Sequence, residues 1–260
     1  MRWIVCIKQV PDTTEIRIDS RTNNLVREGI ASIMNPYDCH ALEAALQLRD
    51  QHGGQVTVVT MGPSQAEECL RDALAMGADE AVLLSDPAFR GADTLATSYT
   101  LAAAIRRLAP VQLIFCGKQA IDGDTAQVGP ELAEWLGLPH IAGVEYLVVK
   151  ANNITARREA ESEYYLVEAN LPALVTISRT MNEPRLPSVW GRLRANRTPI
   201  TVWTGEDLDI DPNRIGLAGS PTRVKRIFYP QHQRQTQIRQ GNAEQLSNWL
   251  VKTLAEERLL

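Results

Sequence analysis

Residues 113–130 read LIFCGKQAIDGDTAQVGP: a short apolar run, a polar loop carrying two glycines, then Gly129-Pro130, near which a helix is expected to begin. An apolar run of this length without polar alternation suits a strand covered on both faces of a sheet. Strand, loop and helix in that order form the unit of a parallel sheet with crossover helices, whose ligands gather at the carboxyl ends of the strands.

The same pattern extends outward. Residues 3–7, 56–61 and 81–85 are further apolar runs, and between them apolar side chains recur at helical spacing, as in Cys69, Leu70, Ala73 and Leu74 or Leu95, Tyr99, Ala102 and Ile105. Ser64 with Glu67 predicts a capping box, Gly77 a helix stop, and Asn35-Pro36 a helix start leading to about Asp50. Beyond about Leu138 come strand-like segments at 144–149, 164–168 and 173–177, which extend the sheet or add a small one, then a Pro- and Arg-rich stretch at 183–199. Residues 216–240 read as an extended arm, and Ala243, Leu246, Leu250 and Leu254 as one face of a terminal amphipathic helix. The expected organisation is therefore an α/β domain over 1–215, strand-rich at about 140–205, followed by an arm and helix over 216–260.

Composition narrows the function. With 260 residues and 44% apolar content the chain can bury a substantial core. Its 27 basic and 31 acidic residues give a formal charge of -4, so no phosphate-neutralising surface for nucleic acid is indicated. No apolar stretch reaches bilayer length, and the start MRWIVCIKQVPDT lacks the features of a signal peptide, so a cytoplasmic location is expected. Cys6, Cys39, Cys69 and Cys116 have no CxxC spacing and read as buried thiols in a reducing compartment.

Catalytic side chains are scarce. His40, His52, His140 and His232 are scattered, and GxSxG and HExxH motifs are missing. Redox chemistry would have to come from a bound cofactor, and with no GxGxxG or GxxxxGK[ST] fingerprint a nucleotide would need another loop. The candidate is Gly117, Lys118, Gln119, Ala120, Ile121, Asp122, Gly123, Asp124, Thr125, Ala126, Gln127 and Val128. Glycines in such a turn ordinarily satisfy backbone angles alone. The density of polar residues here exceeds that need, and amides near a helix start can hold phosphate. Asn35, Pro36, Tyr37 and Asp38 form a second cluster, able either to present a ring and amides to a base or simply to begin a helix. Met61 serves either core or contact, and Lys8 and Asp12 carry little weight as charges following a strand.

Taken together these segments resemble the beta subunit of electron transfer flavoproteins, including the Fix-type subunits. The resemblance rests on IVCIKQVPDT, MNPYDCHALEAAL, VVTMGPSQAEECLRDALAMGADEAVLL, ADTLATSYTLA, CGKQAIDGDTAQVGPELAEWLGLP, LPALVT, NEPR and GLAGSPTRVKRIF, and so covers nearly the whole chain. It implies an adenine-nucleotide alpha-hydrolase-like fold that docks on a larger alpha subunit bearing its own FAD. It also implies nucleotide contacts at Cys6, at Asn35, Pro36, Tyr37 and Asp38, at Met61, and along 117–128.

In one branch of that family the nucleotide is a structural AMP. In the other it is a second FAD that takes hydride from NADH and bifurcates electrons to the alpha-subunit flavin and to ferredoxin or flavodoxin. The resemblance leans to the FAD branch, because Gly123 stands where AMP-binding relatives carry an acidic residue that would crowd and repel a pyrophosphate. A stand-alone nucleotide-binding regulator of the universal-stress type is the alternative from another class.

The segment NEPRLPSVWGRL at 182–193 is similar to the family's recognition loop. That implies docking of an acyl-CoA dehydrogenase or a Fix-type quinone oxidoreductase at Val189, with Trp190 either an exposed hot spot or a core residue. Val189-Trp190 departs from the more usual leucine and its neighbour, and 160–163 (AESE) replaces a common Glu-Gly-Gly turn. The resemblance further implies that the arm and final helix wrap the alpha subunit.

Overall fold

Alternation of side-chain direction along the first strand, β1 (Arg2–Cys6), sets the architecture: Trp3 and Val5 enter one core cluster, Ile4 and Cys6 another on the opposite face of the sheet, and all four are buried. The computed structural model describes residues 1–12, 17–18, 25–26, 31–161, 163–223, 225 and 236–259. After β1 come β2 (Gln9–Pro11), β3 (Arg17–Ile18), β4 (Leu25–Val26) and β5 (Ser32–Met34), paired as two small antiparallel ladders. Then follow α1 (Pro36–His52), β6 (Gln55–Met61), α2 (Glu67–Met76), β7 (Glu80–Leu84), α3 (Thr94–Leu108), β8 (Leu113–Gly117) and α4 (Val128–Leu136). The rest of the sheet is supplied by β9 (His140–Lys150), β10 (Asn153–Glu159), β11 (Tyr164–Asn170), β12 (Ala173–Ile177) and, after α5 (Val189–Arg197), β13 (Thr201–Trp203).

The nine-stranded sheet has the order β11-β10-β9-β12-β8-β1-β6-β7-β13 and is parallel from β9 to β13, with β10 and β11 added antiparallel at one edge. Leu42 and Leu46 of α1, Leu70 and Leu74 of α2 and Ala195 of α5 cover one face; Leu101 and Ile105 of α3 and Leu132 of α4 cover the other. Two covered faces explain why the strands read as continuous apolar runs. The chain steps outward from β1 to β6 and β7, then returns through α3 to β8 on the other side of β1. The carboxyl ends of β1 and β8 thus form the topological switch point, where open α/β sheets place ligands.

One local expectation changes. Ser64 makes no capping box: residues 64–66 form a 3₁₀ turn, no side chain caps α2, and Glu67 instead pairs with Arg71 one turn on at 2.7 Å. Helix α4 starts at Val128, two residues before Pro130. The late strand-like segments extend the main sheet, joined by β10, and the Pro- and Arg-rich stretch contains α5, which Ser188 caps by accepting from the Gly191 N–H. Between β10 and β11 the Ala160 N–H donates to the Glu163 carbonyl at 2.9 Å; Ser162 lies outside the described residues.

The chain divides into two units, Met1–Arg223 and Val224–Leu260. Residues 216–223 of the arm belong to the first, where the Thr222 N–H and hydroxyl both donate to Asp93. Within the second unit α6 (Ala243–Glu256) opens with a reciprocal capping box between Asn242 and Gln245, and Arg239 stacks on Trp249. Residues 224 and 226–235 of the arm lie outside the described residues.

Candidate functional site

A cavity of about 740 Å³ opens at the switch point. Its floor is the ends of β1 and β8, with Cys6, Ile7 and Lys8 from one and Cys116 and Gly117 from the other. One wall is the loop Lys118, Gln119, Ala120, Gly123, Thr125, Ala126 and Gln127 leading into Val128 and Gly129 of α4. The opposite wall comes from Met61–Ser64, from the turn 85–93 and from Thr94, Thr97 and Leu101 of α3.

Asp38 is the hub of the floor. It is buried, accepting from the Lys8 N–H at 2.7 Å and the Gly117 N–H at 3.2 Å, and so ties the ends of β1 and β8 to the first turn of α1. Burial pushes its carboxyl up to about 7, against the opposing influence of Asn35 and of the two backbone donors. Gly117 is required by this contact, since a Cβ there would lie 2.2 Å from Asp38 Oδ1 and 2.8 Å from Tyr37 Cβ.

The loop is held from below. Asn35 sits at the N-cap position of α1 without capping it; its Nδ2 donates to the Gln119 carbonyl at 2.9 Å and its Oδ1 accepts from the Ile121 N–H at 3.2 Å. Lys8 Nζ donates to both oxygens of Asp122 at 2.7 Å, Gln119 pairs with Asp124, and the Asp124 N–H donates to the Ala120 carbonyl at 2.8 Å. The hydroxyls of Thr94 and Ser98 donate to Glu131 at 3.0 and 3.4 Å, joining the start of α3 to that of α4.

These restraints stabilise an unusual backbone. Asp124 and Ala126 both take left-handed conformations, with φ of 56° and 55°, and Gln127 follows in the right-handed region. A left-handed residue followed by a right-handed one turns successive N–H groups toward a common point, the concavity that receives an anion. Among the described residues the N–H groups of Ala126, Gln127, Val128 and Gly129 have no protein acceptor, and all four residues line the cavity at the start of α4. A Cβ on Gly123 would meet nothing within 4 Å.

Of the residues selected from sequence, Cys6, Asp38, Met61, 117–120, Gly123 and 125–128 line one cavity. Asn35, Ile121, Asp122 and Asp124 stand behind its wall as supports, and Tyr37 faces Arg179, whose guanidinium lies 4.4 Å over the ring. Pro36 opens α1. The turn 85–93 also lines the cavity, a part of the site that the sequence reading did not single out. Among the described residues no cluster of His, Cys, Asp or Glu could hold a metal ion, and no helix is long and apolar enough to cross a membrane.

Away from the cavity, the loop before α5 is anchored on α1. Arg185 grips the buried Glu43 through Nε at 2.8 Å and reaches Asp50 at 2.9 Å, while Asn182 Nδ2 donates to the His40 carbonyl at 3.0 Å. Beyond these anchors Val189 and Trp190 are 76% and 80% exposed, so Trp190 is a surface residue.

Comparison with known proteins gives this arrangement a lineage. The electron transfer flavoprotein domain family matches residues 22–208. The chain is 47% identical to the electron transfer flavoprotein subunit beta of Clostridium acetobutylicum over 260 residues, all of both chains.

The chain belongs to the electron transfer flavoprotein family.

Within the family it is similar along the whole of both chains to the caffeyl-CoA reductase-Etf complex subunit CarD of Acetobacterium woodii, at 47% identity. It is 47% identical to protein FixA of Bradyrhizobium diazoefficiens across 98% of this chain and 91% of that one. As a beta-subunit and FixA type electron transfer flavoprotein, the chain has an electron-transfer role beside an alpha subunit and a redox partner.

Proposed function

We propose that this chain is the FAD-carrying beta subunit of a bifurcating electron transfer flavoprotein, acting in the cytoplasm. The observation that carries the reading is the reach of the cavity. Its volume of about 740 Å³ lies in the upper part of the range for small-molecule sites, and its lining runs past the phosphate-type concavity at 126–129 to the far wall at 85–94. A mononucleotide would fill the loop side alone, whereas a dinucleotide would use both walls. Gly123 adds to this, because its open surroundings leave the wall clear of a second carboxylate where a pyrophosphate would pass.

The chemistry that FAD would supply in this cavity is redox: acceptance of hydride from NADH and transfer of one electron to the alpha-subunit flavin and one to ferredoxin or flavodoxin. The chain's own residues hold and orient. The amides of Ala126, Gln127 and Val128 take phosphate oxygens, Asn35, Asp38 and the Lys8–Asp122 pair fix the loop that carries those amides, and Thr125 and Lys118 add polar contacts. No side chain is assigned to proton transfer. Val189 and Trp190 form the docking point for an acyl-CoA dehydrogenase or Fix-type quinone oxidoreductase, and residues 216–260 contact the alpha subunit.

Nucleotide analysis of the two-subunit protein is the test. Two FAD and no AMP per heterodimer is the expected result; one FAD with one AMP would overturn the bifurcating reading in favour of a structural nucleotide.

A further inference from the structure

Two thiols face each other in the cavity floor. Cys6 on β1 and Cys116 on β8 are direct partners in the parallel register, and both belong to the same core cluster, so their side chains emerge on the same face of the sheet. Adjacent strands lie about 4.7–4.9 Å apart. That separation falls inside the Cα range of about 4.4–6.8 Å that a disulfide spans. Both residues line the cavity, at 8% and 5% exposure. The remaining cysteines cannot compete for the bridge: Cys39 and Cys69 sit on α1 and α2, against the opposite face.

We propose that Cys6 and Cys116 are an oxidisable dithiol, reached through the cavity, which closes to an intramolecular disulfide when the cavity is empty and is shielded when it is filled. The oxidant is a small-molecule disulfide. One cavity thiolate attacks a sulfur of the oxidant and expels a thiol, giving a mixed disulfide; the second thiolate then attacks the protein sulfur and expels the other thiol. Two electrons and two protons leave the pair and end on the two released thiols. Between neighbouring strands such a bridge is constrained by the ladder, which favours ready reduction. The Cys6 thiol alongside and burial both push the Cys116 thiol up, so closure is slow at neutral pH and quickens in alkali.

The bridge would also pull on the strand ends that carry the Lys8 and Gly117 donors to Asp38, so its formation opposes filling of the cavity. This shielding rests on the nucleotide reading above; the dithiol itself does not.

The test uses the two-subunit protein after nucleotide removal, treated with 2-hydroxyethyl disulfide and mapped by peptide mass spectrometry. The expected product is a peptide pair joined at Cys6 and Cys116 and restored by dithiothreitol, with FAD or AMP at ten times its Kd slowing closure about tenfold. In Cys116→Ala the reaction should halt at the mixed disulfide on Cys6. Free thiols at both positions in the emptied wild-type protein would overturn the proposal. A bridge whose rate neither nucleotide changes would uphold the dithiol and sink the nucleotide reading of the cavity.

Discussion

The side-chain amide of Asn35 donates to the carbonyl of Gln119 at 2.9 Å while its oxygen accepts from the Ile121 N–H, so the first turn of α1 is bolted to the cavity loop. Each bond contributes about 0.5–1.5 kcal/mol net. Asn35→Ala is expected to lower unfolding stability by about 2 kcal/mol and to weaken nucleotide retention about tenfold, read by urea denaturation and by flavin content after gel filtration. A loss of stability with flavin content unchanged would show that the loop keeps its form without this amide.

Two glycines lining the same cavity should respond in opposite ways. At Gly117 an added Cβ meets Asp38 and Tyr37 inside contact distance, so Gly117→Ala is expected to destabilise by about 1–3 kcal/mol and to disrupt the floor. At Gly123 the space is open, so Gly123→Asp should stay within about 0.5 kcal/mol of the parent in stability while lowering FAD occupancy. Unchanged flavin in Gly123→Asp would refute the charge argument.

The sheet was legible because its strands are covered on both faces, leaving the apolar runs at 3–7, 56–61, 81–85 and 113–117 with little to be confused with. Helix α5 escaped because it buries Ala195 alone, so burial imposes no apolar period on its arginine-rich sequence; Ser188 was the one signal of its start. The role of Asn35 was hidden for a different reason. Asparagine before a proline is the sequence of an N-cap, and nothing local distinguishes an amide that caps its own helix from one that reaches a loop more than eighty residues away. The far wall at 85–93 was missed because its contribution is position, set by the sheet order, and no residue type announces it.

Asp38 predicts a pH dependence. Between its ordinary value of 3.8 and about 7 the folded chain keeps a proton that the unfolded chain has released, so stability falls as pH rises through that window and levels off above it. The full span corresponds to on the order of 4 kcal/mol. Asp38→Asn removes the titration, at the loss of one acceptor for the Lys8 or Gly117 N–H. Urea midpoints measured at about pH 5 and about pH 8 should therefore differ less in the variant than in the parent. Equal slopes in the two proteins would mean that Asp38 is ionised throughout.

Trp190 separates folding from partner recognition. Its side chain is 80% exposed on the first turn of α5, and the loop before that helix is anchored by other residues, Arg185 on Glu43 and Asn182 on His40, so Trp190→Ala should change unfolding stability by less than about 0.5 kcal/mol. An exposed tryptophan next to Val189 in sequence is the kind of anchor that interfaces bury at their centre, and its truncation there costs about 2 kcal/mol or more of binding. Titration of the redox partner against the rate of flavin reoxidation should show the apparent KM rising by more than tenfold with the saturated rate retained. Arg185→Ala supplies the contrast: it leaves Glu43 buried without its cation, so it should lower stability and partner affinity together. If Trp190→Ala leaves the titration unmoved while Arg185→Ala still shifts it, the partner reads the anchored loop and not the exposed ring.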